Sequence, residues 1–359
     1  MISGSAFHDR DFIRTPEDMF LCVVGELHPH DRVISYLRYL PSSNGLWKQG
    51  DQKYRRAMAS YSIPNLLMNI DYLKKNYPTY VFNSEVFGVE MSSIPITHVV
   101  EHYKPQAKLS RIFKMANPDA LQTCSRDLVN YLSESTKIPI EEFGVTGSIL
   151  IDLHNPKFSD VDLTISGREN GFKLKRSLPE LSMEKDGPIS SIPEKALNRW
   201  YQEKLSSHPL NVEELNIIQR RQWNYRSFNG TVFSLHTVRS KNDLHEHYGD
   251  LRYTSVGIVE GRALISDVSD SLFNPHVYKV EMFKVDVGPA LEEINVVASY
   301  SGFYGGIFEE GEEVSVRGKL ERVDDTLTCD MYHRVVVGSP EAGDTDYIKP
   351  LIENNRNLH

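Results

Sequence analysis

Two aspartates one residue apart, Asp160 and Asp162, carry the most specific chemistry in the chain. In Asp160-Val161-Asp162-Leu163, strand alternation puts both carboxylates on one face and Val161 and Leu163 in the core. Like charges this close repel. The hard oxygen donors suit Mg²⁺, or Mn²⁺, as the compensating cation. Upstream, Gly144 and Gly147 permit a tight turn with positive φ. Ser148 is expected to cap a short helix, offering free N–H groups and a hydroxyl to an anion such as a triphosphate. Residues 149–159 give room for that helix, a turn at Asn155-Pro156 and a return as a strand. A cation held beside a phosphate-cradling turn is apparatus for phosphoryl or nucleotidyl transfer. A DxD alone is common on exposed strands, so the reading depends on its union with Gly147-Ser148.

Gly147-Ser148 followed by Asp160-Val161-Asp162-Leu163 resembles the GS-x(n)-DxD motif of the DNA polymerase β nucleotidyltransferase superfamily. The strand-like Phe143 to Thr146 and the Phe158-Ser159 lead-in fit the same pattern. The extended Gly-Val-Thr-Gly-Ser…Phe-Ser-Asp-Val-Asp-Leu pattern is similar to archaeal proteins known as predicted nucleotidyltransferases. The resemblance implies that Gly147, Ser148 and Ser159 bind the nucleotide. It also implies that Asp160 and Asp162 are the catalytic metal ligands, with Mg²⁺ or Mn²⁺ as cofactor.

Active members of that superfamily place a third carboxylate on a later strand. The matching strand is expected at Val232-Phe233-Ser234-Leu235-His236-Thr237-Val238, with Phe233 and Leu235 facing the core. Ser234 then takes the third-acid position and His236 projects on the same side. Neither is a carboxylate, although serine can ligate Mg²⁺ weakly and histidine can act as a base near neutral pH. Asp243, Glu246 and Asp250 lie downstream as substitutes. The neighbours in His245-Glu246-His247 would point apart on an extended chain, which argues against a metal cluster there.

The elements that must position these residues fall into three segments. Residues 1–140 read as an α/β region of unknown role. Met19 to Val24 is apolar and strand-like. Val33, Ile34, Leu37 and Leu40 recur at helical spacing before Pro41. Gln52 to Tyr61, Leu66 to Tyr77 and Ala120 to Leu132 also read as helices. The aromatics Tyr36, Tyr39, Trp47, Tyr54 and Tyr61 could stack on a base, but their spacing fits core positions. Residues 141–253 form the nucleotidyltransferase-like segment, a mixed sheet with helices on one face. It includes helices over Glu194 to Leu205 and Val212 to Trp223, and a strand from Thr231 to Val238 after an Asn229-Gly230 turn. Residues 254–350 are strand-rich and glycine-punctuated, as in a small antiparallel OB-like barrel. Residues 351–359 read as a tail. The fold class expected is α+β.

With 359 residues, 40% hydrophobic and 25% charged, the chain can bury real cores. No apolar run approaches the ~18 residues of a membrane span, and the charged Phe7-His8-Asp9-Arg10-Asp11 stretch makes a poor signal peptide. Cys22, Cys124 and Cys329 are too far apart for a CxxC zinc site or a disulfide framework. A reduced, cytoplasmic location without membrane contact is expected. The net charge of −9 argues against a broad basic nucleic-acid surface. Local basic segments exist at Lys173, Lys175 and Arg176, and at Arg220, Arg221 and Arg226, where solvated helix faces are the favoured reading.

Two functions follow from this reading. One is Mg²⁺-dependent transfer of a nucleoside monophosphate from an NTP, ATP first, to a hydroxyl on RNA, protein or a small molecule. The other is a nucleotide- or RNA-binding module, catalytically impaired by the missing third carboxylate.

Overall fold

The structure is a computed structural model that describes residues 7–58, 62–289 and 293–351. The expected tail, apart from Leu351, lies outside the described residues. The fold is mixed α+β, with several sheets and one strongly curled sheet near the C-terminus. Among the described residues, no helix is long and apolar enough to cross a membrane. The chain divides into two compact units. The first is Met1–Glu85 with Val89–Pro193 and Trp223–Tyr248; the second is Val86–Gly88 with Glu194–Gln222 and Gly249–His359.

The first unit contains two sheets. Its N-terminal sheet has eight strands centred on Phe20–Val23 and Arg32–Pro41. Arg32–Pro41 is a strand, not the helix its spacing predicts, and the cause is a bulge. Phe20 pairs with Tyr39 and Leu21 with Leu37, so Arg38 is an extra residue opposite that step. The bulge swaps faces. Leu40 rejoins Val33 and Leu37 in a core with Leu73 of the helix Ile63–Asn76. Tyr39 joins Tyr36 on the other face, against Leu150, Ile151 and Leu153. A strand buried on both faces, with one bulge, thus mimics an i, i+4, i+7 pattern. The helix expected over Gln52 to Tyr61 is also corrected as far as Met58; residues 59–61 lie outside the described residues. Gln52–Arg56 forms a hairpin with Trp47–Gln49 around Gly50-Asp51, where Gly50 takes φ +57°.

The second sheet of this unit runs in the order Ile189–Ser190, Tyr225–Phe228, Thr231–Val238, Val161–Ser166, Phe143–Val145. Val161–Ser166 is parallel to Thr231–Val238 and antiparallel to Phe143–Val145. Its inward residues Val161, Leu163 and Ile165 are fully buried. Helices Ala120–Thr136 and Arg168–Leu181 pack against this central strand. Asp119 caps the first of them in a capping box with Gln122, which fixes where the helix starts.

In the second unit, helices Glu194–Ser207 and Val212–Arg221 cluster with the curled sheet, although their position in sequence falls within the nucleotidyltransferase-like segment. His208 stacks on Phe303 at 4.4 Å, and Arg221 pairs with Glu312 at 2.8 Å. The curled sheet has six strands in the order Leu251–Asp267, His276–Val287, Ile294–Ser299, Met331–Val337, Glu313–Asp325, Tyr347–Pro350, and Glu313–Asp325 also pairs back onto Leu251–Asp267. Only the Ile294–Ser299 and Met331–Val337 pair is parallel. Buried Val259, Val297, Leu320 and Val335 are among its core residues.

Candidate functional site

The turn before the short helix Gly147–Leu150 is set by its neighbours rather than by capping. Thr146, not Ser148, is the cap residue; Ser148 lies in the first turn and is buried. The Thr146 hydroxyl donates to the Arg10 carbonyl at 2.7 Å, and the Thr146 N–H donates to the Asp162 carbonyl at 2.8 Å. These two bonds tie the turn to the N-terminal segment and to the central strand. Gly147 has φ +65°, and a Cβ there would collide with the Asp162 carboxylate. Glycine is therefore required twice at this position, for its conformation and for close approach.

Asp160 and Asp162 are both half-buried, and Val161 and Leu163 point inward as the alternation predicts. The Asp162 charge is the main reason the Asp160 carboxyl is pushed up to about 6; burial adds to this, while Arg56 and Arg38 pull it down. Repulsion from Asp162 and burial thus outweigh the pull of two nearby guanidinium groups.

Ser234 lies directly across the parallel ladder from Asp162, and His236 lies across from Thr164. Phe233 and Leu235 are fully buried, so Ser234 and His236 share the face that carries Asp162. The Ser234 hydroxyl donates to Asp162 Oδ1 at 2.5 Å and lies 3.1 Å from His236 Nε2. Among the described residues, no group of three His, Cys, Asp or Glu side chains converges to hold a metal. Asp243 is engaged locally, accepting from the Ser240 N–H at 2.9 Å and the Ser240 hydroxyl at 2.5 Å. Ser159 sits in the turn before Asp160, where its hydroxyl oxygen accepts the Asn155 N–H at 2.9 Å.

The sequence reading missed Arg38 and Arg56, which come from the N-terminal sheet. Arg56 lies over the Trp47 ring at 4.8 Å, and Trp47 meets Phe158 edge-to-face at 5.9 Å. Gln49 donates to the Ile151 carbonyl at 3.1 Å. These contacts bring the Trp47–Arg56 hairpin to the Asp160 loop. The only signal in the sequence was a set of isolated arginines within aromatic strands, legible only once those stretches are read as strands. Of the aromatics, Tyr39 and Tyr54 are core residues, Tyr36 and Trp47 are half-buried, and Tyr61 lies outside the described residues.

No protein-family model matches the chain, and no solved structure matches it. An uncharacterized protein of Methanocaldococcus jannaschii is 31% identical over 345 residues, which covers 95% of this chain and 98% of that protein.

Proposed function

The chain belongs to one family with the Methanocaldococcus jannaschii protein, and we propose that it is a nucleotidyltransferase-type protein acting on an NTP, ATP first. The observation that carries this reading is the seating of Gly147 against Asp162, which sets the Gly147-Ser148 turn beside a carboxylate pair. Asp160 and Asp162 would hold Mg²⁺, or Mn²⁺. The donor set fits: two hard oxygens whose mutual repulsion raises proton affinity at Asp160 gain from a divalent cation. When bound, the metal would neutralise charge on the nucleotide phosphates.

The N–H groups of the 147–150 turn and the Ser148 hydroxyl would receive the phosphates. Ser159 uses its oxygen on Asn155, which leaves its hydrogen to donate to a phosphate. The acceptor hydroxyl attacks the α-phosphorus in line. Its O–P bond forms as the bond to the bridging oxygen breaks, and pyrophosphate leaves. Because Ser234 donates its one hydrogen to Asp162, it accepts from His236 Nε2 at 3.1 Å, and His236 would act as the base for the acceptor proton through Nδ1. The acceptor is an RNA, a protein or a small molecule. The ring of five paired strands in the curled sheet supports an OB-like assignment, and OB-type barrels bind oligonucleotides.

One observation favours a second reading, a binding module impaired in catalysis: position 234 carries a hydroxyl where the superfamily carries an acid. Incubation with α-labelled ATP and Mg²⁺ or Mn²⁺ separates the two. Pyrophosphate release that is lost in Asp160→Ala/Asp162→Ala supports transfer. Nucleotide binding lost in that variant, with no release by wild type, supports the module. Binding unaffected by the double substitution overturns both.

A further inference from the structure

On the same face of the Val161–Ser166 strand, beyond Asp162, lies a cleft of about 250 Å³. Its walls include Asp9, Asp11, Lys104, Gln106, Thr164, Arg239 and Lys241. The acids on this wall are already matched. Asp11 faces His102 at 2.7 Å and accepts the His8 N–H at 3.1 Å. Asp9 pairs with Arg10 at 3.3 Å and accepts the Gly25 N–H at 2.9 Å. Arg239 is set against the buried Glu26, 3.8 Å away.

What remains is positive. Among the described residues, neither Lys104 nor Lys241 has a carboxylate within ion-pair distance; burial is the main reason the half-buried His8 ring resists protonation, Asp11 favours it, and both ammonium groups oppose it. On the wall of the cleft, Thr164 is fully buried and its hydroxyl has no hydrogen-bond partner among the described residues. A buried hydroxyl without a partner is costly unless something supplies one. Gly144 keeps this space clear, because a Cβ there would meet the Thr164 hydroxyl and Pro105.

We propose that this cleft binds a phosphate monoester group, held by Lys104 and Lys241 and by a hydrogen bond from Thr164. Two unmatched cations balance the two charges of a monoester. The volume is below the ~300–1,000 Å³ of pockets that enclose a whole drug-sized ligand, so the cleft takes a head group and leaves its carrier outside. Thr164 follows Asp162 by two residues on one strand face, which places the anion ~7 Å along the strand from the carboxylate pair. The cleft is therefore the anchor for the phosphate of a second substrate, an assignment that rests on the transferase reading. The binding itself does not.

The probes are inorganic phosphate and ribose 5-phosphate, titrated in EDTA and followed by thermal shift and ³¹P line broadening. Wild type should bind both, and Asp160→Ala/Asp162→Ala should bind them at least as tightly, because it removes negative charge near the anion and leaves the cleft's own ligands in place. This result is therefore independent of the nucleotide site. Lys104→Gln/Lys241→Gln, at surface positions that leave the core intact, should weaken binding about tenfold or more. Thr164→Val should weaken it severalfold. Unchanged affinity in the double lysine variant, or no saturable binding by wild type, overturns the proposal. Binding of inorganic phosphate without binding of ribose 5-phosphate overturns the monoester assignment.

Discussion

Ser234 and Asp162 face each other across a parallel ladder, and the serine hydroxyl donates to the aspartate at 2.5 Å. Position 234 is thus in direct contact with Asp162, where a third oxygen ligand would stand. Ser234→Asp should strengthen Mn²⁺ binding about tenfold, because a third hard oxygen joins two already present. Without metal the same variant should melt several degrees lower, since three carboxylates then repel one another. Isothermal titration and thermal denaturation in EDTA check the two arms. Weaker Mn²⁺ binding in the variant would mean that another acid already completes the site.

The Asp160 carboxyl sets a pH dependence whose sign is fixed by its displacement from an ordinary 3.8 up to about 6. The folded protein holds this proton more tightly than the unfolded chain does. Above pH 6 both states have lost it, and the folded state bears the full repulsion from Asp162. As pH falls from 6 towards 4 the folded state takes up the proton first, so this contribution to stability rises. Asp160→Asn should raise the melting temperature at pH 7.5 in EDTA and flatten its change between pH 7 and 5 relative to wild type. A variant that melts lower at pH 7.5, with the wild-type slope, would mean that the two carboxylates do not repel. The same proton competes with the cation, so Mg²⁺ affinity should fall below pH 6.

The facing positions of Asp162 and Ser234 were legible because they rest on local alternation. Asp162 and Ser234 alternate with fully buried Leu163, Phe233 and Leu235, and the ladder between their strands runs without a register shift. Arg32–Pro41 was misread because the extra residue at Arg38 moves Leu40 onto the face of Val33 and Leu37. Nothing local marks such a bulge, since it shows only against the partner strand. The approach of Arg56 to the aspartate loop depends on a packing contact between Trp47 and Phe158, far apart in sequence, which no period encodes. The cap was misplaced by two residues for a similar reason. The Thr146 hydroxyl is drawn to the Arg10 carbonyl, a partner in another segment.

Gly147 should tolerate no side chain. Gly147→Ala places a Cβ against the Asp162 carboxylate and forces an L-residue to φ +65°. The conformation alone costs about 1–2 kcal/mol, and the displaced carboxylate adds a loss of metal affinity. Urea denaturation and Mn²⁺ titration should therefore both register the change. Wild-type Mn²⁺ affinity in a folded Gly147→Ala protein would separate the turn from the metal position.

Arg38 and Arg56 should act in opposite directions on metal and nucleotide. Both lie close enough to Asp160 to pull its carboxyl towards ionisation, and both sit on strands of the N-terminal sheet, while Asp160 lies in the loop before Val161–Ser166. A cation near a metal position opposes a second cation, so Arg56→Gln should bind Mn²⁺ alone more tightly than wild type. A nucleotide brings its own negative charge, and a guanidinium is suited to phosphate. Arg56→Gln should therefore weaken ATP binding in the presence of Mn²⁺, by about tenfold, and Arg38→Gln should do the same. Because Arg56 also covers Trp47, Arg56→Lys serves as the control that keeps charge while losing the planar contact. It should retain the wild-type Mn²⁺ response and recover part of the ATP affinity. Parallel changes for metal and nucleotide in both glutamine variants would assign these arginines to packing of the hairpin, with no part in receiving phosphate.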